Sequence, residues 1–254
     1  MMYGSERAAA EEITSMGKHF VLIHGAWHGG WAWEGVISSL VEAGHTAEAP
    51  TLRGNGPEDE RSRITLESYV DHVVEVVAKQ DRPVILVGHS SAGFLLQMAA
   101  PKVRDKVERL VFLNAWILPD NIAQFDLVPR EAAAPLIALG ESLPDKSVPV
   151  IEGFVRAILM AGDTKEDQDK VISRLTPQPL ALFVTPVKVE EFGGLDVPKT
   201  LVYCRDDTSA PPGTFLRVGQ GLGPHDVIEI DGGHEALVTH PARVAEALIR
   251  AAVR

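Results

Sequence analysis

One uninterrupted apolar run restricts the fold more than any other feature. Pro83 is followed by Val84-Ile85-Leu86-Val87 and Gly88, and the pattern then turns helical from Ala92 to Ala100 before Pro101 stops it. An apolar run without polar alternation belongs to a strand buried on both faces, so a strand, a tight turn and a helix follow one another here. The same succession recurs along the chain. Phe20-Val21-Leu22-Ile23 precedes an amphipathic stretch carrying Val36, Ile37, Leu40 and Val41, which Gly44 ends. A short strand near residues 45–49 leads through a loop to Thr65, which reads as the N-cap of a helix with Leu66, Tyr69, Val70, Val73, Val74 and Val77 on one face. Arg109 to Leu113, Leu201 to Tyr203 and Val227 to Ile230 supply further strands, and a helix opens at Pro241. Short strands alternating with amphipathic helices predict an α/β fold, a mainly parallel sheet with helices on both faces.

The alternation lapses between Ala115 and about Gly194, where the pattern is mostly helical. Phe154, Ile158 and Leu159 form an apolar stripe, and Thr164 with Asp167 reads as a helix cap. The expected organisation is a core of residues 19–114 and 195–254, interrupted by a helical lid over 115–194. Residues 1–18 read as a loose leader, because their charges break any apolar stretch of the kind a signal or membrane span needs. A formal net charge of −11 disfavours nucleic acid and anionic membrane as partners. Cys204 stands alone, so no intramolecular disulfide can form, which fits a reducing, cytoplasmic setting. Neither H-E-x-x-H nor clustered Cys and His spacing appears, and the expectation is no metal and no cofactor. A homodimer is compatible with the sequence.

Chemistry concentrates at Gly88-His89-Ser90-Ser91-Ala92-Gly93, where the buried strand meets its helix. This nearly spells G-x-S-x-G, the elbow that exposes a nucleophilic serine on a strained turn between small neighbours. Ala92 stands where the pattern has glycine. Ser91 is the competing serine, but it would put His89 in the crowded position; a serine N-cap is the competing role. A serine hydroxyl needs a base, and the base needs an acceptor on its far side. His234, in Asp231-Gly232-Gly233-His234 just beyond a strand, is better placed than His225 or His240. Asp206 and Asp207 both follow the strand Leu201 to Tyr203; Asp207 is preferred because its spacing to Pro211 resembles the D-x-x-x-P loop of related hydrolases. Backbone N–H groups of Ala26 and Ser91 are the expected oxyanion donors. Gly25, Trp27, Trp116, Phe125 and Phe154 are expected around the substrate, with Leu127, Ile158, Leu159, Leu182 and Phe183 adding apolar surface from the lid.

Taken together, Phe20-Val21-Leu22-Ile23-His24-Gly25-Ala26-Trp27-His28-Gly29-Gly30-Trp31, Ser90 in G-H-S-x-x-G, and His234 after Gly-Gly resemble the α/β-hydrolase fold, and more narrowly its methylesterase and hydroxynitrile lyase group. The resemblance runs from about His19 to Arg254 and is strongest before Gly93. It implies Ser90 as nucleophile, Asp207 as acid, His234 as base, and Ala26 and Ser91 as oxyanion donors. Plant lyases of this group carry threonine after the first-motif histidine and lysine after the catalytic histidine, where this chain has Gly25 and Glu235. A carboxylate beside the base would oppose a departing anion if it pointed inward. Hydrolysis of a small, hydrophobic carboxylic ester through an acyl-enzyme is therefore expected. The alternatives are a hydroxynitrile lyase or other C–C bond lyase using the same residues, and a ligand-binding, receptor-like protein with weak hydrolysis.

Overall fold

Each apolar run named above is a strand, and these strands lie side by side in parallel. The computed structural model describes residues 17–254. Strands β1 (His19–Ile23), β2 (Thr46–Glu48), β3 (Val84–His89), β4 (Val107–Leu113), β7 (Lys199–Cys204) and β8 (Asp226–Ile230) form a six-stranded sheet in the order β2-β1-β3-β4-β7-β8. Every pairing in it is parallel. Alternation along each strand sends Val21, Ile23, Leu86 and Phe112 into one core and Phe20, Leu22, Val87 and Leu113 into the other. Helices α1 (Glu34–Glu42), α2 (Leu66–Ala78) and α3 (Ala92–Ala99) come from the first half of the chain. α2 and α3 contribute to the first core and α1 to the second, which explains why the central strands read as continuous apolar runs. Thr65 caps α2 as its spacing predicts: its hydroxyl accepts from the Ser68 N–H at 3.2 Å, and Ser68 Oγ accepts from the Thr65 N–H at 2.8 Å.

Between β4 and β7 lie α4 (Arg130–Ser142), an antiparallel pair of short strands β5 (Ser147–Val148) and β6 (Gln178–Pro179), α5 (Lys165–Ile172) and α6 (Ala181–Val184). The β5–β6 pair is absent from the mostly helical sequence reading, because strands this short carry no apolar period. A helical turn at Glu152–Phe154 runs into a π-helical turn at Val155–Leu159. That wider turn rotates the register, so Val155, Leu159 and Met160 are buried while Phe154 stays 39% exposed. Thr164 caps α5, accepting from the Asp167 N–H at 3.1 Å. The chain closes with α7 (Thr214–Gly219), α8 (Ala236–Thr239) and α9 (Pro241–Ala252), the last packing Val244, Ala247, Leu248 and Ala251 beneath the sheet. The leader expected over 1–18 falls, for residues 1–16, outside the described residues. Gly17 and Lys18 are bonded to the sheet edge, through Arg82 and Thr46 respectively. Among the described residues no helix is long and apolar enough to cross a membrane.

Candidate active site

The carboxyl ends of β1, β3, β4, β7 and β8 converge, the usual place for a site on an open parallel sheet. At the end of β3, Ser90 takes φ +54°, a left-handed conformation that costs a residue with a Cβ. Neighbouring strands hold it there. The Ser90 N–H donates to Leu113 O at 3.1 Å, and its carbonyl accepts from the N–H groups of Gly93 and Trp116 at 3.0 Å each. The close approach demands glycine at Gly93, where a Cβ would lie 2.4 Å from Trp116 O. Ala92 fits fully buried in the position where the elbow pattern has glycine. Gly25 corrects the expectation that it borders the substrate: it sits against the elbow, where a Cβ would come within 2.8 Å of Ser90 Cβ, and it does not line the cavity. Its lack of a side chain makes room for the serine.

Ser90, His234 and Asp207 lie in one hydrogen-bonded line. His234 Nε2 is 3.1 Å from Ser90 Oγ, and Nδ1 is 2.7 Å from Asp207 Oδ2. An ionised carboxylate only accepts, so Nδ1 carries the proton and Nε2 accepts from the serine hydroxyl. Burial would raise the Asp207 pKa, but the His234 imidazole and bonds from Ser209 outweigh it and hold the carboxyl below its ordinary range. Burial likewise would lower His234, and the Asp207 charge reverses that, leaving the imidazole above its ordinary value. Ser209, absent from the sequence reading, bonds to both partners: its N–H donates to Asp207 Oδ1 at 2.8 Å and its Oγ lies 2.9 Å from His234 Nδ1. Asn114, just past the end of β4, accepts the Cys204 N–H at 2.7 Å and so ties the end of β7, which leads into Asp206 and Asp207, to β4. Asp206 makes a bond within the loops instead, accepting from the Gly232 N–H at 3.2 Å. Cys204 is a buried strand residue whose thiol burial pushes up to about 12.

Ala26 and Ser91 face the same space, and among the described residues neither backbone N–H has a hydrogen-bond acceptor. The peptide units around Ala26 are pinned from behind. His24, held neutral near 3 by burial, accepts the Leu52 N–H at Nε2 and donates from Nδ1 to Gly25 O at 2.8 Å. The carbonyl of Ala26 accepts from His28 Nδ1 at 2.8 Å, and the following Trp27 N–H donates to Gln178 Oε1 at 2.9 Å. Ser91 Oγ donates to Gln124 Oε1 at 2.8 Å, which occupies the competing serine with a cavity-wall amide. His89 is neutral, pushed down to about 3 by burial and by His234; its Nε2–H donates to the His234 carbonyl at 3.0 Å. Glu235 is fully buried and pairs with His28 instead of pointing inward at the base, its Oε2 lying 3.1 Å from His28 Nε2. His28, His89 and Glu235 were visible only as motif neighbours, since nothing in their spacing announces that they meet.

Over these groups lies a cavity of about 340 Å³. Trp27, Trp116, Phe125 and Phe154 line it, with Leu159 and Phe183. Phe125 stacks on Phe183 at 4.5 Å between ring centroids, giving the cavity a flat aromatic wall. Of the other residues expected to add apolar surface, Leu127 is exposed, Leu182 is buried in the core, and Ile158 lies off the lining. Among the described residues no lysine or arginine lines this space.

An elbow serine, a carboxylate-oriented histidine and two free N–H groups on a parallel α/β sheet describe a nucleophilic hydrolase. A match to the alpha/beta hydrolase family spans residues 20–247, and the chain belongs to that family. It is 30% identical over 248 residues to a carbendazim hydrolyzing esterase of Nocardioides sp. (strain SG-4G), covering 91% of this chain and 98% of the relative. It is 28% identical to salicylic acid-binding protein 2 of Nicotiana tabacum, covering 93% and 97% respectively. Among solved structures, an extracellular alpha/beta-hydrolase from a Paenibacillus species superposes with TM-score 0.87 at 26% identity, covering 93% of this chain and 100% of that one.

Proposed function

We propose that the chain is a serine ester hydrolase working through an acyl-enzyme, with Ser90 as nucleophile, His234 as base and Asp207 as the acid that orients it. The observation that carries this is the line from Ser90 Oγ to His234 Nε2 at 3.1 Å and from Nδ1 to Asp207 at 2.7 Å, at the floor of an apolar cavity. Esterase relatives that align over 91% and 75% of the chain support the same chemistry. Ser90 attacks the ester carbonyl as His234 takes its proton; His234 then protonates the departing alcohol, and a water activated by the same base cleaves the acyl-enzyme. The N–H groups of Ala26 and Ser91 hold the oxyanion in both halves. Residues 115–194 act as a lid whose aromatic wall favours hydrophobic acyl groups on a small-molecule substrate. Among the described residues no lysine or arginine lines the cavity, which favours ester cleavage over cyanide release.

The test is hydrolysis of p-nitrophenyl acetate, butyrate and benzoate by the wild type and by Ser90→Ala. Turnover should rise with acyl hydrophobicity in the wild type and fall by about 10⁴–10⁶-fold in the variant. Most of the turnover surviving in Ser90→Ala would remove the nucleophile assignment. An equal rate across the three esters would remove the shaped acyl pocket.

A further inference from the structure

We propose that Glu235 and His28 form a positioning pair that couples the base loop to the oxyanion loop, setting both His234 and Ala26 for catalysis. The inference rests on the ester-hydrolase reading and adds residues to it.

Glu235 directly follows His234, and its side chain is sealed at 0% exposure. Its carboxylate lies 3.1 Å from His28 Nε2 and, among the described residues, neither oxygen has any other partner. The opposite edge of the same imidazole reaches the Ala26 carbonyl, at 2.8 Å from Nδ1. A carbonyl only accepts, so Nδ1 carries a proton, and the carboxylate at the other nitrogen favours a second. A fully buried charge with one partner is costly, and an apolar pair of similar volume would serve the fold as well or better. Its place between His234 and Ala26 accounts for keeping it. During acylation His234 gains positive charge and the carbonyl oxygen gains negative charge. Glu235 adjoins His234 in the chain and His28 holds the carbonyl of Ala26, so the pair spans the two loops between which the charge is displaced.

The surroundings keep this dipole in place. His28 lies on Trp31 at 5.3 Å between centroids, and the Arg174 guanidinium covers Trp31 at 4.7 Å. The titratable groups facing the pair are His24, His89, His234 and Asp163. Burial keeps His24 and His89 neutral, and burial raises Asp163 above its ordinary range. For His28, burial would lower the pKa, and the Glu235 carboxylate outweighs it to hold the ring above its ordinary value. His234 also owes part of its elevation to Glu235, after the larger contribution of Asp207.

Glu235→Gln keeps the volume and removes the charge. With the most active p-nitrophenyl ester, kcat should fall by about ten- to a hundredfold, less than loss of an oxyanion donor itself. KM should change by less than about threefold, since the charge develops only in the transition state. The acidic limb of the kcat/KM profile should move to lower pH, because His234 loses a neighbouring carboxylate. The double variant Glu235→Met/His28→Phe removes both charges together and guards against a single variant that fails to fold. It should fold with a melting temperature near that of the wild type and show the same drop in kcat and the same shift of the limb. Wild-type kcat and an unmoved limb in the folded double variant would overturn the pairing role. That outcome is distinguishable from failure of the ester-hydrolase reading, which would appear as absent wild-type turnover or an active Ser90→Ala.

Discussion

At the scale of single residues the site works by fixing which nitrogen holds a proton. Asp207 assigns it to His234 Nδ1, which leaves Nε2 facing Ser90 Oγ as an acceptor. Because Asp207 raises the His234 pKa above the ordinary value of 6.5, the neutral form that can accept the serine proton is populated only at higher pH. Turnover should therefore climb with pH through a midpoint above 6.5 in a kcat/KM profile. In Asp207→Asn that midpoint should fall and kcat should drop on the order of 10⁴-fold, because the amide no longer imposes the tautomer. A limb below the ordinary histidine value in the wild type would contradict the electrostatics described here. Ser90, His234 and the Asp206-Asp207 pair were readable as candidates because each sits next to a strand end whose apolar run is easy to see, and the spacing to Pro211 singled out Asp207. Ser209, His28 and Glu235 were not, since their contacts depend on how loops distant in sequence fold over one another.

At the scale of elements, close backbone approach and capping make different demands. Gly93 lets α3 meet Trp116, and a Cβ 2.4 Å from that carbonyl must push the elbow or the strand-end loop aside. Gly93→Ala should cost about 1–3 kcal/mol in urea unfolding and lower ester turnover with it. Thr65→Ala removes only the cap of α2, far from the cavity, and should cost about 1 kcal/mol with turnover per folded molecule unchanged. The caps at Thr65 and Thr164 were legible because capping is local in sequence. The π-helical turn at Val155–Leu159 and the β5–β6 pair were not, because a one-residue change of helical register and two-residue strands leave no periodic trace. Val155 and Leu159 of that turn line the cavity, so part of its wall was not readable from the sequence.

At the scale of the whole molecule, buried ionisable groups link the site to stability. Glu235 is lowered to about 2 from 4.5 in the folded chain: burial would raise it, but the neighbouring His28 outweighs that. A depressed carboxylate stabilises the fold above its unfolded pKa and loses that contribution as pH falls through the folded one. The urea midpoint should thus drop between pH 4.5 and about 2, and drop less steeply in Glu235→Gln. His28 works in the opposite sense, its raised pKa giving stability at low pH that fades as pH rises through the folded value. The parallel sheet with helices on both faces followed from the apolar runs, whereas the order of its strands and the lining of the cavity depended on packing that no local pattern encodes. The serine and the histidine that share a hydrogen bond are 144 residues apart, one following β3 and the other following β8, the last strand of the sheet. With the roles proposed for them, Ser90 is made long before the histidine that would deprotonate it, and turnover should begin only once β8 has joined the sheet and brought His234 to the serine.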